Sequence, residues 1–150
     1  ADNSIPLSKL KSISVNMSLS PQLFDFINKT WTGLTDFDGN CVWTDGTNIY
    51  YSEGTTQKVL DVATSTWSNK TWTGLTDFYG HYIWTDGNNI YYSNGSTQKV
   101  LDVATSTWND KTWSGLTSFS GSRIWTDGTN IYYSYDTTQK VLITNKKIHR

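Results

Sequence analysis

Few side chains in this 150-residue chain are suited to bond-making chemistry. There are two histidines, His81 and His149, and one cysteine, Cys41. One histidine stands among the varying loop residues and the other in the C-terminal tail, so no histidine-based triad or histidine metal cluster is spelled out. The single cysteine excludes an intrachain disulfide framework. Its counterparts 41 and 82 positions on are Tyr82 and Arg123, which gives no ground for a reactive thiol. Carboxylates do recur, at Asp45, Asp86 and Asp127, each just before a glycine. A carboxylate can serve as a general acid or base, but Asp-Gly is also the chemistry of a tight hairpin, and the turn is the better reading. The sequence therefore predicts no enzyme, no cofactor and no metal.

What positions these residues is repetition. Residues 29–69 return as 70–110, and again, truncated, from Lys111 to Leu142; 32 of the 41 positions are identical between the first two copies. A period of that length marks units that each bury an apolar face against a neighbour. Short runs rich in Val, Ile, Tyr, Trp and Thr alternate with Asp-Gly, Asn-Gly and Thr-Ser turns, and no window carries a helical period. The first copy predicts four antiparallel strands: Cys41 to Thr44, Ile49 to Ser52, Gln57 to Val62, and Thr66 to about Trp72. Three domains of sequence follow: an arm over residues 1–22, the repeat region 23–144 and a tail 145–150.

Four strands in 40 to 50 residues is the arithmetic of a β-propeller blade. The unit also resembles a kelch repeat, the blade of galactose-oxidase-like propellers. The resemblance rests on Ile49-Tyr50-Tyr51-Ser52-Glu53-Gly54, where kelch has a strand ending in paired glycines, and on Asp61 to Trp67, an aspartate-led turn followed by tryptophan that Asp102 to Trp108 repeats. It covers about three quarters of the chain. It departs from the family in its short repeat and in a diglycine reduced to Glu53-Gly54, Asn94-Gly95 and Tyr135-Asp136. An all-β fold of kelch-like blades is what the resemblance implies. The copper site with a cysteine-linked tyrosine of galactose oxidase has no counterpart here.

The repeats start and stop out of phase with the blade. Leu23 to Trp31 aligns with Thr64 to Trp72, placing Phe26 where Trp67 stands, so it reads as a fourth strand without the other three. The third copy supplies three strands, within Arg123 to Thr144, and lacks the tryptophan strand. The count is three blades, one split between the ends, and propellers have four to eight. We expect two chains to join head to tail into six blades, with Phe24, Phe26, Trp31, Val141 and Ile143 at the closure. A nine-bladed trimer and completion by another protein are the alternatives. An exposed sheet edge on each chain would then be covered by its partner.

Differences between copies gather in two places. Asp38-Gly39-Asn40-Cys41 becomes Tyr79-Gly80-His81-Tyr82 and then Ser120-Gly121-Ser122-Arg123; Glu53, Asn94 and Tyr135 begin the other varying turn. In a propeller both connections emerge on one face. The candidate ligand-binding residues are therefore Asp38, Asn40, Tyr79, His81, Tyr82, Ser122, Arg123, Glu53, Asn94 and Tyr135, since loops on a rigid scaffold are the usual place of recognition. Drift on a rim free of turn constraints is the competing account. The eight tryptophans are assigned to packing between blades, where large rings fill repeated positions.

A formal net charge of −1 gives no electrostatic case for nucleic acid. No apolar run approaches membrane-spanning length, and no signal peptide is read at Ala1. Ile13 to Ser20 alternates apolar and polar residues, as a strand with one buried face does. It packs on its own propeller or docks into a larger assembly such as a virion or fibre. The expected function is a noncatalytic binding and display module that recognises a glycan or surface receptor at an extracellular or virion surface. The alternative is a purely structural scaffold subunit docked by its arm.

Overall fold

A computed structural model describes residues 25–143, and the fold it shows is three repeated antiparallel sheets. The first runs β1 (Val42–Thr44), β2 (Ile49–Glu53), β3 (Thr56–Asp61) and β4 (Thr66–Asn69), in that order across the sheet. The second repeats it with β5 (Ile83–Thr85), β6 (Ile90–Asn94), β7 (Thr97–Asp102) and β8 (Thr107–Asp110). The third has three strands, β9 (Ile124–Thr126), β10 (Ile131–Tyr135) and β11 (Thr138–Leu142). The all-β, blade-like organisation expected from the repeat is thus present. The arm strand at 13–20, Phe24 and the tail at 145–150 lie outside the described residues.

The first two sheets are buried on both faces, which explains the unbroken aromatic runs. Successive side chains on a strand point to opposite faces. Tyr50 accordingly enters a cluster with Trp43, Trp72, Phe78, Tyr92, Leu101 and Trp108, between sheets one and two. Tyr51 enters a different cluster with Cys41 and Trp67, on the other side of the first sheet. The next pair divides in the same way: Tyr92 joins the first of these clusters, and Tyr91 a third with Trp84, Phe119, Ile131 and Tyr133. Edge-to-face contacts fill these layers, such as Phe78 with Trp108 at 5.5 Å between ring centroids.

A hydrogen-bonded relay runs through each of the first two sheets and into the next unit. The Trp43 indole donates to Ser52 at 2.9 Å, and the Ser52 hydroxyl donates to Gln57 at 2.5 Å. The Gln57 amide then donates to the carbonyls of Gly54 and Phe78. Trp84, Ser93 and Gln98 repeat the relay, ending on Gly95 and Phe119. Ser52 and Ser93 have no exposed surface, so this pairing is what lets a polar residue occupy the middle of a packed strand.

Several boundaries differ from the sequence reading. Cys41 belongs to a single 3₁₀ turn, Gly39–Cys41, and so do its equivalents in Gly80–Tyr82 and Gly121–Arg123. The fourth strand stops at Asn69, well short of Trp72, because the chain leaves the sheet edge there to cross between units. The β1–β2 connection is a four-residue loop in which Gly46 has φ +94° and Asp45 does not take a positive φ. Residues 25–31 form no strand; Phe26 and Ile27 are fully solvent-facing, since no sheet edge lies beside them. Trp125, assigned to packing, is half exposed for the corresponding reason: among the described residues no sheet follows the third.

Candidate functional site

The fold brings both varying segments to one end of the molecule. The β2–β3 turn of one unit meets the loop entering the next: Phe78 N–H donates to the Gly54 carbonyl at 3.0 Å, and Phe119 N–H to that of Gly95 at 3.1 Å. The three 3₁₀ turns stand side by side at this end. In the first, the Asp38 carboxylate caps the turn by accepting from the Asn40 amide at 2.9 Å; Ser120 does the same for Ser122 at 3.2 Å. Tyr79 offers no such bond. Only glycine fits where the turns abut, since a Cβ on Gly80 would stand 2.2 Å from the Cys41 carbonyl oxygen and one on Gly121 2.0 Å from that of Tyr82.

Asp38, Asn40, His81 and Ser122 converge on one open concavity of about 590 Å³, floored by Val42, Trp43 and Ile83. The other candidates stand around it as smaller groups. Tyr79, His81 and Tyr82 form an aromatic row, with centroids 5.7 and 4.1 Å apart. The Arg123 guanidinium lies over the Tyr135 ring at 4.3 Å. Asn94 donates to the Tyr92 hydroxyl at 3.4 Å, and Glu53 accepts from the Tyr51 hydroxyl; burial, followed by this bond, pushes that phenol far up. Sequence reasoning found the polar rim residues and missed the floor, because Val42, Trp43 and Ile83 carry an ordinary strand pattern and nothing marks them as rim.

The reactive groups are placed for structure. Cys41 Sγ lies 4.0 Å from His81 Nδ1, the approach a thiol–imidazole pair would need. Burial of Cys41, then the charges of Glu53 and Asp38, push its thiol up from the ordinary value, so the nucleophilic thiolate is disfavoured. Partial burial of Asp45 opposes its ionisation, and is outweighed by hydrogen bonds from the Asn48 amide, the Tyr50 hydroxyl and the Thr47 amide that hold it below the usual carboxylate range. Asp86 and Asp127 hold their loops with the same three bonds. Three of the roughly four acceptor sites of each of these carboxylates are thus taken by its own hairpin. Among the described residues, no group of three or more His, Cys, Asp or Glu is placed to hold a metal ion, and no helix is long and apolar enough to cross a membrane.

Fold and rim together define a class: a tandem array of blade-like sheets that shows its variable residues at one end and its constant turns at the other. Compared with protein-family models, with curated proteins and with solved structures, the chain finds no match in any of the three.

Proposed function

We propose that the chain is half of a kelch-like β-propeller, completed to six blades by a second copy joined head to tail, and that it serves as a noncatalytic binding and display module. The observation that carries the binding function is the convergence of Asp38, Asn40, His81 and Ser122 on one concavity, drawn from three different copies of an otherwise constant repeat. A carboxylate, an amide, an imidazole and a hydroxyl offer both donors and acceptors over an apolar floor, which suits the hydroxyl-rich, partly apolar surface of a glycan. Tyr79 and Tyr135, each substantially exposed, supply flat rings at the margin. In a six-bladed ring the concavity is present twice, so weak single-site binding gains from avidity to a receptor surface or a glycan layer. Display on a virion or fibre is the setting in which such a ring would be useful.

The test is a glycan array followed by calorimetry on the best hit. Asn40→Ala and His81→Ala are expected to weaken binding at least tenfold each without moving the thermal midpoint, whereas Thr64→Ala on the opposite face leaves it unchanged. Absence of any glycan or receptor binding would leave the scaffold role as the function of the ring.

A further inference from the structure

We infer that a segment of a second copy, Asp25 to Lys29, is the missing fourth strand of the third sheet; this rests on the head-to-tail ring proposed above and names the device that closes it. The third sheet ends at β11, whose outer edge has no partner strand among the described residues. Beside it lies an apolar recess of about 150 Å³ between Trp84, Trp113, Phe119, Tyr133 and Leu142. A dry protein cavity of roughly that volume accepts a benzene ring. One unit earlier the same recess is bounded by Trp43, Trp72, Phe78, Tyr92 and Leu101, and there Trp108 of β8 fills it. The residue aligned with Trp108 and Trp67 is Phe26, which in the single chain is bare to solvent.

Glycines give an independent sign of the same vacancy. A Cβ on Gly33 would stand 2.0 Å from the Trp67 carbonyl oxygen, and one on Gly74 2.1 Å from that of Trp108. The equivalent Gly115, with the same backbone conformation, has nothing within 4 Å. Its sequence keeps the glycine that a fourth strand requires, and among the described residues its own unit supplies no such strand. Of the nine large apolar residues exposed among the described residues, five (Phe26, Ile27, Trp125, Val141 and Ile143) belong to the two surfaces this exchange would join.

The complete sheets fix the register. Lys58 pairs Asn69, Val59 pairs Ser68 and Leu60 pairs Trp67; the second sheet does the same. Carried to the third, Lys140 faces Asn28, Val141 faces Ile27 and Leu142 faces Phe26. The Lys58 ammonium donates to Asn69 at 2.7 Å, and Lys140 and Asn28 preserve both partners. Trp67 and Trp108 each donate their backbone N–H to the crossing segment, at the Thr32 and Thr73 carbonyls, which gives the Phe26 amide the Ser114 carbonyl in place of its present bond to the Asp25 side chain. The occupant is a second copy, because the exposed segment and the exposed seat are on one chain and complementary in register, length and chemistry.

The experiment mixes two otherwise unaltered chains of different tag mass, one carrying Ile27→Cys and the other Val141→Cys, both at exposed positions, under mild oxidation. Light scattering of the unsubstituted chain is run in parallel. A mass of twice 17.0 kDa, with a mixed disulfide-linked species at least tenfold above that from an Ile27→Cys and Val62→Cys pair, is the expected result. Twice the mass without the mixed link would overturn the exchange and leave the six-bladed ring standing. Three times the mass with the link would keep the exchange and overturn six blades. A 17.0 kDa particle, or a link formed within one doubly substituted chain, would overturn both.

Discussion

Replacing Gly39 by alanine separates assembly from folding. Gly39, Gly80 and Gly121 open the three 3₁₀ turns, and none requires a positive φ. In the second and third turns a Cβ would lie 2.2 and 2.0 Å from the carbonyl oxygen of the preceding unit and 2.9 and 2.8 Å from a tryptophan ring. Gly39 has nothing within 4 Å, because among the described residues no unit precedes its own. Within one chain, Gly39→Ala is therefore unstrained and gains about 0.4–1 kcal/mol from the less flexible unfolded chain. In a head-to-tail ring the Arg123 carbonyl and the Trp125 ring of the second copy occupy the place of Cys41 and Trp43. The neighbour would have to retreat by about 1 Å, and overpacking of this kind costs roughly 1–3 kcal/mol. A two-chain ring contains the junction twice, so the dimer loses about 2–6 kcal/mol, or roughly thirty-fold to more than ten-thousand-fold in dissociation constant. The assay is sedimentation across a dilution series beside thermal unfolding, with Gly80→Ala as the comparison. Gly80→Ala should lower the midpoint by several degrees. Gly39→Ala should leave the single chain folded and abolish the dimer; a dimer constant unmoved by Gly39→Ala would refute the head-to-tail junction.

Trp108→Ala empties the layer between sheets one and two and should cost about 3–5 kcal/mol, read as a shift in urea midpoint, whereas Phe26→Ala should leave single-chain stability unchanged and weaken the dimer. Gln98→Leu strands Ser93 and the carbonyls of Gly95 and Phe119, for a loss of about 1–3 kcal/mol; Gln139→Leu, at an exposed position, should cost less in the single chain. Burial, followed by the bonds to Asp45 and Asp86, pushes Tyr50 and Tyr91 up to about 12. A proton held more tightly in the folded state stabilises it fully below the unfolded value of about 10 and is lost as pH rises toward 12. Tyrosinate absorbance should thus appear late and together with unfolding, and Tyr50→Phe should flatten that part of the pH profile. Asp45 has the opposite sign: its depressed carboxyl stabilises above about pH 4 and is lost as pH falls below it, so Asp45→Asn should be less sensitive to acid while less stable at pH 7.

Repetition made most of this fold legible before any coordinates. Four strands, their order and their turns follow from alternating Val, Ile, Tyr and Trp between Gly and Asp-Gly positions. The rim also follows, because residues that vary against a constant background stand out. What the sequence did not show is local geometry set by close approach. The 3₁₀ turns have no helical period to detect at three residues. The early stop of β4 is set by where the next sheet lies, and the apolar floor of the concavity is built from strand residues indistinguishable from core. Segment 23–31 reads as a strand that completes the sheet of another chain; a strand exists only beside a partner, and among the described residues 25–31 have none.

Identical residues then act as internal controls, which is the firmest ground for an unfilled interface. Trp43, Trp84 and Trp125 follow the same kind of turn, precede the same Thr-Asp-Gly and bond the same serine at the same 2.9 Å, yet their exposures are 8%, 8% and 51%. Local sequence and local structure are matched, so the difference measures the neighbour alone. The first two rings lie 5.5 Å from Trp72 and Trp113, and the residue aligned with those is Trp31, at the opposite end of the chain. Trp31 is half-buried, packed from its own unit by Phe37 and Trp67, with no tryptophan among the described residues in the place that Trp43 and Trp84 take beside Trp72 and Trp113. Two halves of one repeated contact thus face solvent at the two ends of the array. Trp125 and Trp31 within a single three-unit chain would have to close a ring of three blades to meet, fewer than propellers close with, and two chains let both halves meet their complements at once.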